Sequence, residues 1–165
     1  MFTKDQFIDS IENETQICKH LFSKIPDGSL NYRPTEKQRS LLELLQYLTT
    51  CVRTPLNALV AADWSGVSDD LKRIKDIPAE KFCDAMDQQL SDVKDRIGQI
   101  PMTDFTTKMT SVPWGDNVLL GPALVNLPLK FIAAYRMQLF LYLKGVGNSE
   151  LSTYSCWIGI DTPDA

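Results

Sequence analysis

The run NLPLKFIAAYRMQLFLYLKG, residues 126–145, sets Tyr135, Arg136 and Gln138 in the middle of an otherwise apolar segment. A buried guanidinium or phenol loses its hydration unless another group replaces it. This segment therefore either lines a pocket or anchors a polar network. Helical spacing puts Phe131 and Tyr135 on one face, and it puts Tyr47 and Cys51 on one face of an earlier segment. Two phenols and a phenyl ring can orient a small, mostly apolar ligand. The Cys51 thiol could act as a nucleophile if a cation such as Arg53 or Arg136 lowered its pKa. The sole histidine, His20, offers it no base, and an inert buried thiol is the simpler reading. Arg136 is expected to tie its helix to a carboxylate or a loop carbonyl, because a buried charge must be paired.

Other candidate groups carry less. His20 closes the first helical segment, where the helix C-terminus favours the imidazolium and a surface position is expected. Asp84, Asp87, Asp92 and Asp95 spread around one helix and read as a solvated face rather than as metal ligands. Cys18, Cys51, Cys83 and Cys156 show no CxxC pair, which speaks against a zinc site or a disulfide framework. With no apolar leader at the N-terminus, a reducing cytoplasm is the expected compartment.

Composition narrows the partners. The 165 residues, 44% hydrophobic and 23% charged, suit one globular domain over 1–165 with its own core. A net charge of -4 with 17 basic residues scattered along the chain shows no basic stripe, so nucleic acid is not expected as a partner. The longest apolar stretch, Phe131 to Leu143, is broken by Arg136 and Gln138 and is too short to cross a bilayer. No membrane association is expected.

Four amphipathic segments must position these residues. The first carries Phe7, Ile8, Ile11, Cys18, Leu21, Phe22 and Ile25 near helical spacing, opened by a Thr3/Gln6 capping box and ended by Pro26-Asp27-Gly28. The second opens with Ser40 and Glu43, buries Leu41, Leu44, Leu45, Leu48 and Val52, and is kinked or interrupted at Pro55. A polar linker follows from Trp64 to Asp76, irregular apart from a short turn at Asp69 to Ile74. The third helix follows Pro78, with Phe82, Met86, Leu90, Val93 and Ile97 inward, and stops at Gly98 and Pro101. Between Phe105 and Asp116 the pattern allows a small hairpin or a plain crossover connection. The fourth helix begins near Gly121-Pro122, is complicated by Pro128, and closes at Gly145 or Gly147. A tail packs beyond it, because Trp157 and Ile158 need cover. The fold class is therefore all-α, an antiparallel four-helix bundle with a short extended segment between helices 3 and 4.

Two sequence frames carry a resemblance. Leu30-Asn31-Tyr32-Arg33-Pro34, followed by SLLELLQYL from Ser40 to Leu48, resembles the aromatic-Arg-Pro turn and serine-opened helix of the DinB-like superfamily. Tyr135-Arg136-Met137-Gln138-Leu139, with Tyr142-Leu143-Lys144-Gly145-Val146-Gly147 after it, resembles the family's late helix. The resemblance implies the four-helix bundle and facing second and fourth helices. In metal-binding members it also implies three histidines holding a divalent ion that serves thiol-transfer chemistry. By register those positions fall on Tyr47, Phe131 and Tyr135. Phenylalanine cannot ligate and a neutral phenol is a poor ligand, so no metal and no cofactor are expected. The facing aromatic residues would then either frame a pocket or fill the vacated cavity, and close packing favours filling.

The resulting expectation is a metal-free DinB-like protein that serves as a small-ligand binding or interaction module. Its candidate pocket residues are Tyr47, Cys51, Phe131, Tyr135, Arg136 and Gln138. The alternatives are a divergent thiol-transferase-like enzyme using Tyr47, Cys51 and Tyr135, and a structural homodimer subunit. A homodimer is also implied by the family resemblance and by the wide apolar coverage of the second and fourth helices.

Overall fold

The computed structural model describes residues 3–163, so the outermost two residues at each end of the expected 1–165 domain lie outside the described residues. Helix α1 runs Lys4–Phe22 from the expected capping box, with Gln6 donating its N–H to Thr3 Oγ1 at 3.1 Å and Thr3 donating to Gln6 Oε1 at 3.0 Å. It ends a turn before Pro26, where the Ser23 amide folds back on Lys19 and the Lys24 amide on Leu21. Helix α2, Leu41–Leu48, opens on the Ser40/Glu43 box, and Pro55 falls in the first turn of a separate helix α3, Arg53–Ala61. Proline is tolerated there because its missing N–H lies among the first-turn groups that lack an intrahelical partner.

The linker is more regular than the sequence suggests. Val67–Arg73 forms α4, followed by a 3-10 turn at Ile74–Asp76. After a 3-10 turn at Ala79–Lys81, α5 occupies Phe82–Gly98. The next connection holds one helical turn, α6 at Asp104–Thr107, and a hairpin of β1 (Met109–Ser111) and β2 (Asn117–Leu119). Phe105 is thus helical, and the hairpin runs beyond Asp116 with Thr110 opposite Val118. Two neighbours pin the hairpin to the end of α3. Trp64 Nε1 donates to the Ser111 carbonyl at 3.0 Å, and Lys108 Nζ donates to the Val60 carbonyl at 2.9 Å.

The last long helix forms in three parts, α7 (Leu120–Leu124), a π-helical turn (Val125–Leu129) and α8 (Lys130–Gly145). Pro128 lies inside the π turn, whose wider winding accommodates a residue that cannot donate an N–H. Helix α1 packs on α5 and α8, and the α2–α3 pair packs between the same two helices. This closes a four-helix arrangement around Phe7, Ile11, Leu21, Leu44, Leu48, Leu56, Met86, Val93, Ile132 and Leu139, all fully buried. Each such side chain contributes about 1.5–3 kcal/mol on burial. The fold is all-α apart from the hairpin, and no helix of the described residues is long and apolar enough to cross a membrane.

The tail forms a short helix α9, Thr153–Trp157, and corrects one expectation. It buries Leu151, Ser155 and Cys156, whereas Trp157 and Ile158 remain more than half exposed.

Candidate functional site

The α2 and α8 faces meet. The Tyr47 and Tyr135 rings lie edge to face with centroids 4.6 Å apart, and Phe131 lies 6.5 Å from Tyr135 in the same manner. Cys51 is buried behind Tyr47, its Sγ 3.5 Å from the Leu48 carbonyl. The space between Tyr47, Cys51, Phe131 and Trp64 amounts to only about 50 Å³. Here the aromatic side chains pack mainly against one another, and a drug-sized molecule has no room.

Burial holds Tyr47 and Cys51 of this cluster neutral. The Tyr47 phenol is pushed well above its ordinary value, first by burial and then by Tyr135 and Cys51, with Arg39 opposing. Burial likewise raises the Cys51 thiol far above the usual thiol range. A protonated thiol is a weak nucleophile, and a neutral phenol beside a phenyl ring is not a divalent-metal site. Among the described residues no group of three or more His, Cys, Asp or Glu side chains converges to hold a metal. Tyr47, Phe131 and Tyr135 therefore do not form a donor set that fits a metal ion.

Arg136 and Gln138 leave this cluster. Arg136 is buried and pairs with Glu14 of α1, Nε to Oε2 at 2.8 Å and Nη2 to Oε1 at 3.3 Å. Its Nη1 also donates to Cys156 Sγ at 3.2 Å, and its guanidinium lies 4.9 Å from the Trp157 ring centre. It ties α8 to α1 and the tail, as the need to pair a buried charge requires. Gln138 donates to the Tyr142 hydroxyl at 2.8 Å, and that hydroxyl donates to the Arg39 carbonyl at 2.9 Å. Gln138 thus acts on the loop before α2. His20 is also corrected. Its imidazole is largely buried rather than at the surface, 3.7 Å from Asp161, and burial lowers its pKa instead of favouring the imidazolium. On α5, Asp84 and Asp87 are exposed and pair with Lys81 and Lys19, while half-buried Asp92 pairs with Arg53.

A larger cleft opens on the outer side of Tyr47, with a volume of about 750 Å³. Its floor is α2, presenting Glu43, Gln46 and Tyr47. One wall is the loop Arg33–Arg39, and the other is α4 with its 3-10 extension. Each wall is fastened. On the loop side the Tyr142 hydroxyl holds Arg39, the Tyr32 ring stacks edge-on to Tyr142 at 5.7 Å, and Arg33 bonds the Gln38 carbonyl at 2.7 Å and Glu43 at 2.8 Å. Gly145 permits this packing, since a Cβ there would collide with the Tyr32 ring. On the α4 side the buried Gln46 amide donates to the carbonyls of Lys75 at 2.8 Å and Ile77 at 3.0 Å. Midway along α4, Thr54 donates to Asp70 at 2.9 Å.

The cleft gathers charge that the sequence leaves dispersed. Arg33, Lys37, Arg39, Lys72 and Lys75 line it against only Glu36 and Glu43, although the whole chain carries -4. Glu43 is held below the usual carboxylate range by the Ser40 N–H and by Arg33. Lys72 pairs with Asp69 at 2.8 Å. Among the described residues Lys37, Arg39 and Lys75 have no carboxylate partner. The Arg39 guanidinium instead lies over the Tyr47 ring, 4.2 Å from its centre. Sequence reading reached Tyr47 but not Arg39, Leu71 or Lys75. The bases of 33–39 and 72–75 lie more than thirty residues apart, and only the Gln46 bonds show that they share a cleft.

No family model matches the chain, and no curated protein does. Two solved structures match over most of its length. A DinB-like protein from Bacillus subtilis, YjoA, is 17% identical, with 90% of this chain and 97% of that one covered and a TM-score of 0.67. A candidate member of the DinB family from Exiguobacterium sibiricum is 20% identical, with 91% and 95% covered and a TM-score of 0.68. The chain shares its fold with these DinB-like structures.

Proposed function

We propose that this chain of DinB-like fold is a small-ligand binding module that works without a metal, and that its ligand site is the outer cleft at Tyr47. The observation that carries the reading is the division of space around one ring. Toward Cys51 and Phe131 about 50 Å³ remains beside Tyr47, while toward Arg39 and Lys75 it borders a cleft of about 750 Å³. The second volume falls within the range of about 300–1,000 Å³ typical of small-molecule sites. Thiol transfer at Cys51 finds no support, because the thiol is buried and held protonated. Four free cysteines are consistent with a reducing, cytoplasmic setting.

Two measurements test the reading. Elemental analysis after chelation and reloading with zinc or nickel is expected to find no stoichiometric metal, and one tightly held equivalent would overturn it. A thermal-shift panel of small carboxylates, phosphates and neutral aromatic molecules in the presence of EDTA should yield stabilising compounds. Their effect should vanish in Ser68→Trp, which fills the cleft from the exposed side of α4. Stabilisation that survives this substitution would place the ligand elsewhere.

A further inference from the structure

We infer that the cleft selects organic anions, a carboxylate or phosphate headgroup on a compact apolar or aromatic body. The inference rests on the ligand-binding reading above and adds the chemical class. Lys37, Arg39 and Lys75 converge on one cleft from two walls, and none has a carboxylate partner among the described residues. Unpaired like charges held together repel one another. An anion placed among them relieves that repulsion and makes charge-assisted hydrogen bonds.

Arg39 is prepared for this role. Its guanidinium face is stacked on Tyr47, with Tyr135 5.5 Å away, so its position is fixed without use of an acidic partner. A stacked guanidinium still has its N–H edge free for a planar carboxylate or a phosphate. Tyr142 holds the Arg39 backbone from α8, which limits the entropy lost when a ligand is bound. Across the cleft from Lys37 and Arg39, and beside Lys75, lies an apolar surface of Val67 and Leu71 on α4 with the buried Ile74. A bare inorganic ion would leave that surface uncovered. A headgroup with a hydrocarbon or aromatic body satisfies both sides.

The test is calorimetric titration of the chelator-treated full chain with phenyl phosphate, with benzoate, and with neutral benzyl alcohol. Either anion should bind at least about tenfold more tightly than the alcohol, the scale expected for one charge-assisted hydrogen bond. The stronger of the two identifies the headgroup as phosphate or carboxylate. Affinity should fall as salt rises. The exposed substitutions Arg39→Gln and Lys75→Gln should each weaken the anion by about tenfold relative to benzyl alcohol. Equal binding of alcohol and anions, with both abolished by Ser68→Trp, would overturn the anion preference and leave the ligand-binding reading intact. Failure of all three probes, with the thermal-shift panel also empty, would overturn both.

Discussion

The Arg39 guanidinium stacks on the Tyr47 ring at 4.2 Å, and this contact joins the closed interior of the bundle to its open cleft. One face of Tyr47 belongs to the aromatic cluster that fills the space between α2 and α8. Another part of the ring borders the cleft and carries Arg39, which has no carboxylate partner among the described residues. The same side chain thus seals one site and builds another.

Alkaline conditions should expose the cost of this burial. Tyr47 keeps its proton above the pH at which an unfolded tyrosine, with a pKa of about 10, loses it. The folded state then binds more protons, so the stability from the neutral phenol is complete below that pH and is lost as pH rises through the higher folded value. Cys51 and Cys18 act with the same sign from the ordinary thiol range upward. Urea unfolding at about pH 8 and about pH 11 should show a decline that Tyr47→Phe reduces. An unchanged decline in that variant would show that Tyr47 is not held neutral.

Gln46 fastens the α4 wall, and its loss should loosen that wall before the bundle. Gln46→Leu removes both bonds to the Lys75 and Ile77 carbonyls and is expected to cost about 1–3 kcal/mol. Hydrogen exchange should accelerate in the amides of 67–77 and remain slow in α1 and α5. Uniform acceleration would mean that Gln46 supports the whole core instead.

The Arg136–Glu14 pair should behave as a buried ion pair that holds the bundle together. Glu14→Gln leaves the guanidinium without its counter-charge, and a loss of about 3–5 kcal/mol is expected in urea unfolding. Combining it with Arg136→Met should recover part of that loss, because no unpaired charge then remains. Additive losses would contradict a direct coupling.

The sequence made the bundle legible because its signals are local. Thr3/Gln6 and Ser40/Glu43 sit at capping distance, and Pro55 could only break a helix or start one. Apolar spacing together with the two family-like frames also brought Tyr47 opposite Tyr135. The tail departs from its apolar pattern because Leu151 and Cys156 already complete the core beside it, which leaves Trp157 and Ile158 outside. The directions of Arg136 and Gln138 were hidden as well. Adjacent residues on a helix diverge by about 100°, so Tyr135 can face α2 while Arg136 faces α1. The cationic cleft left the weakest trace, since its walls are joined by side chain to carbonyl bonds across distant segments.

The most direct measurement is chemical-shift mapping of isotope-labelled, chelator-treated protein titrated with phenyl phosphate. The account predicts that the perturbed signals concentrate at Arg39, Tyr47, Leu71 and Lys75, without any added metal. Perturbations centred on Trp157 and the tail, or ones that arise only when zinc is supplied, would contradict it.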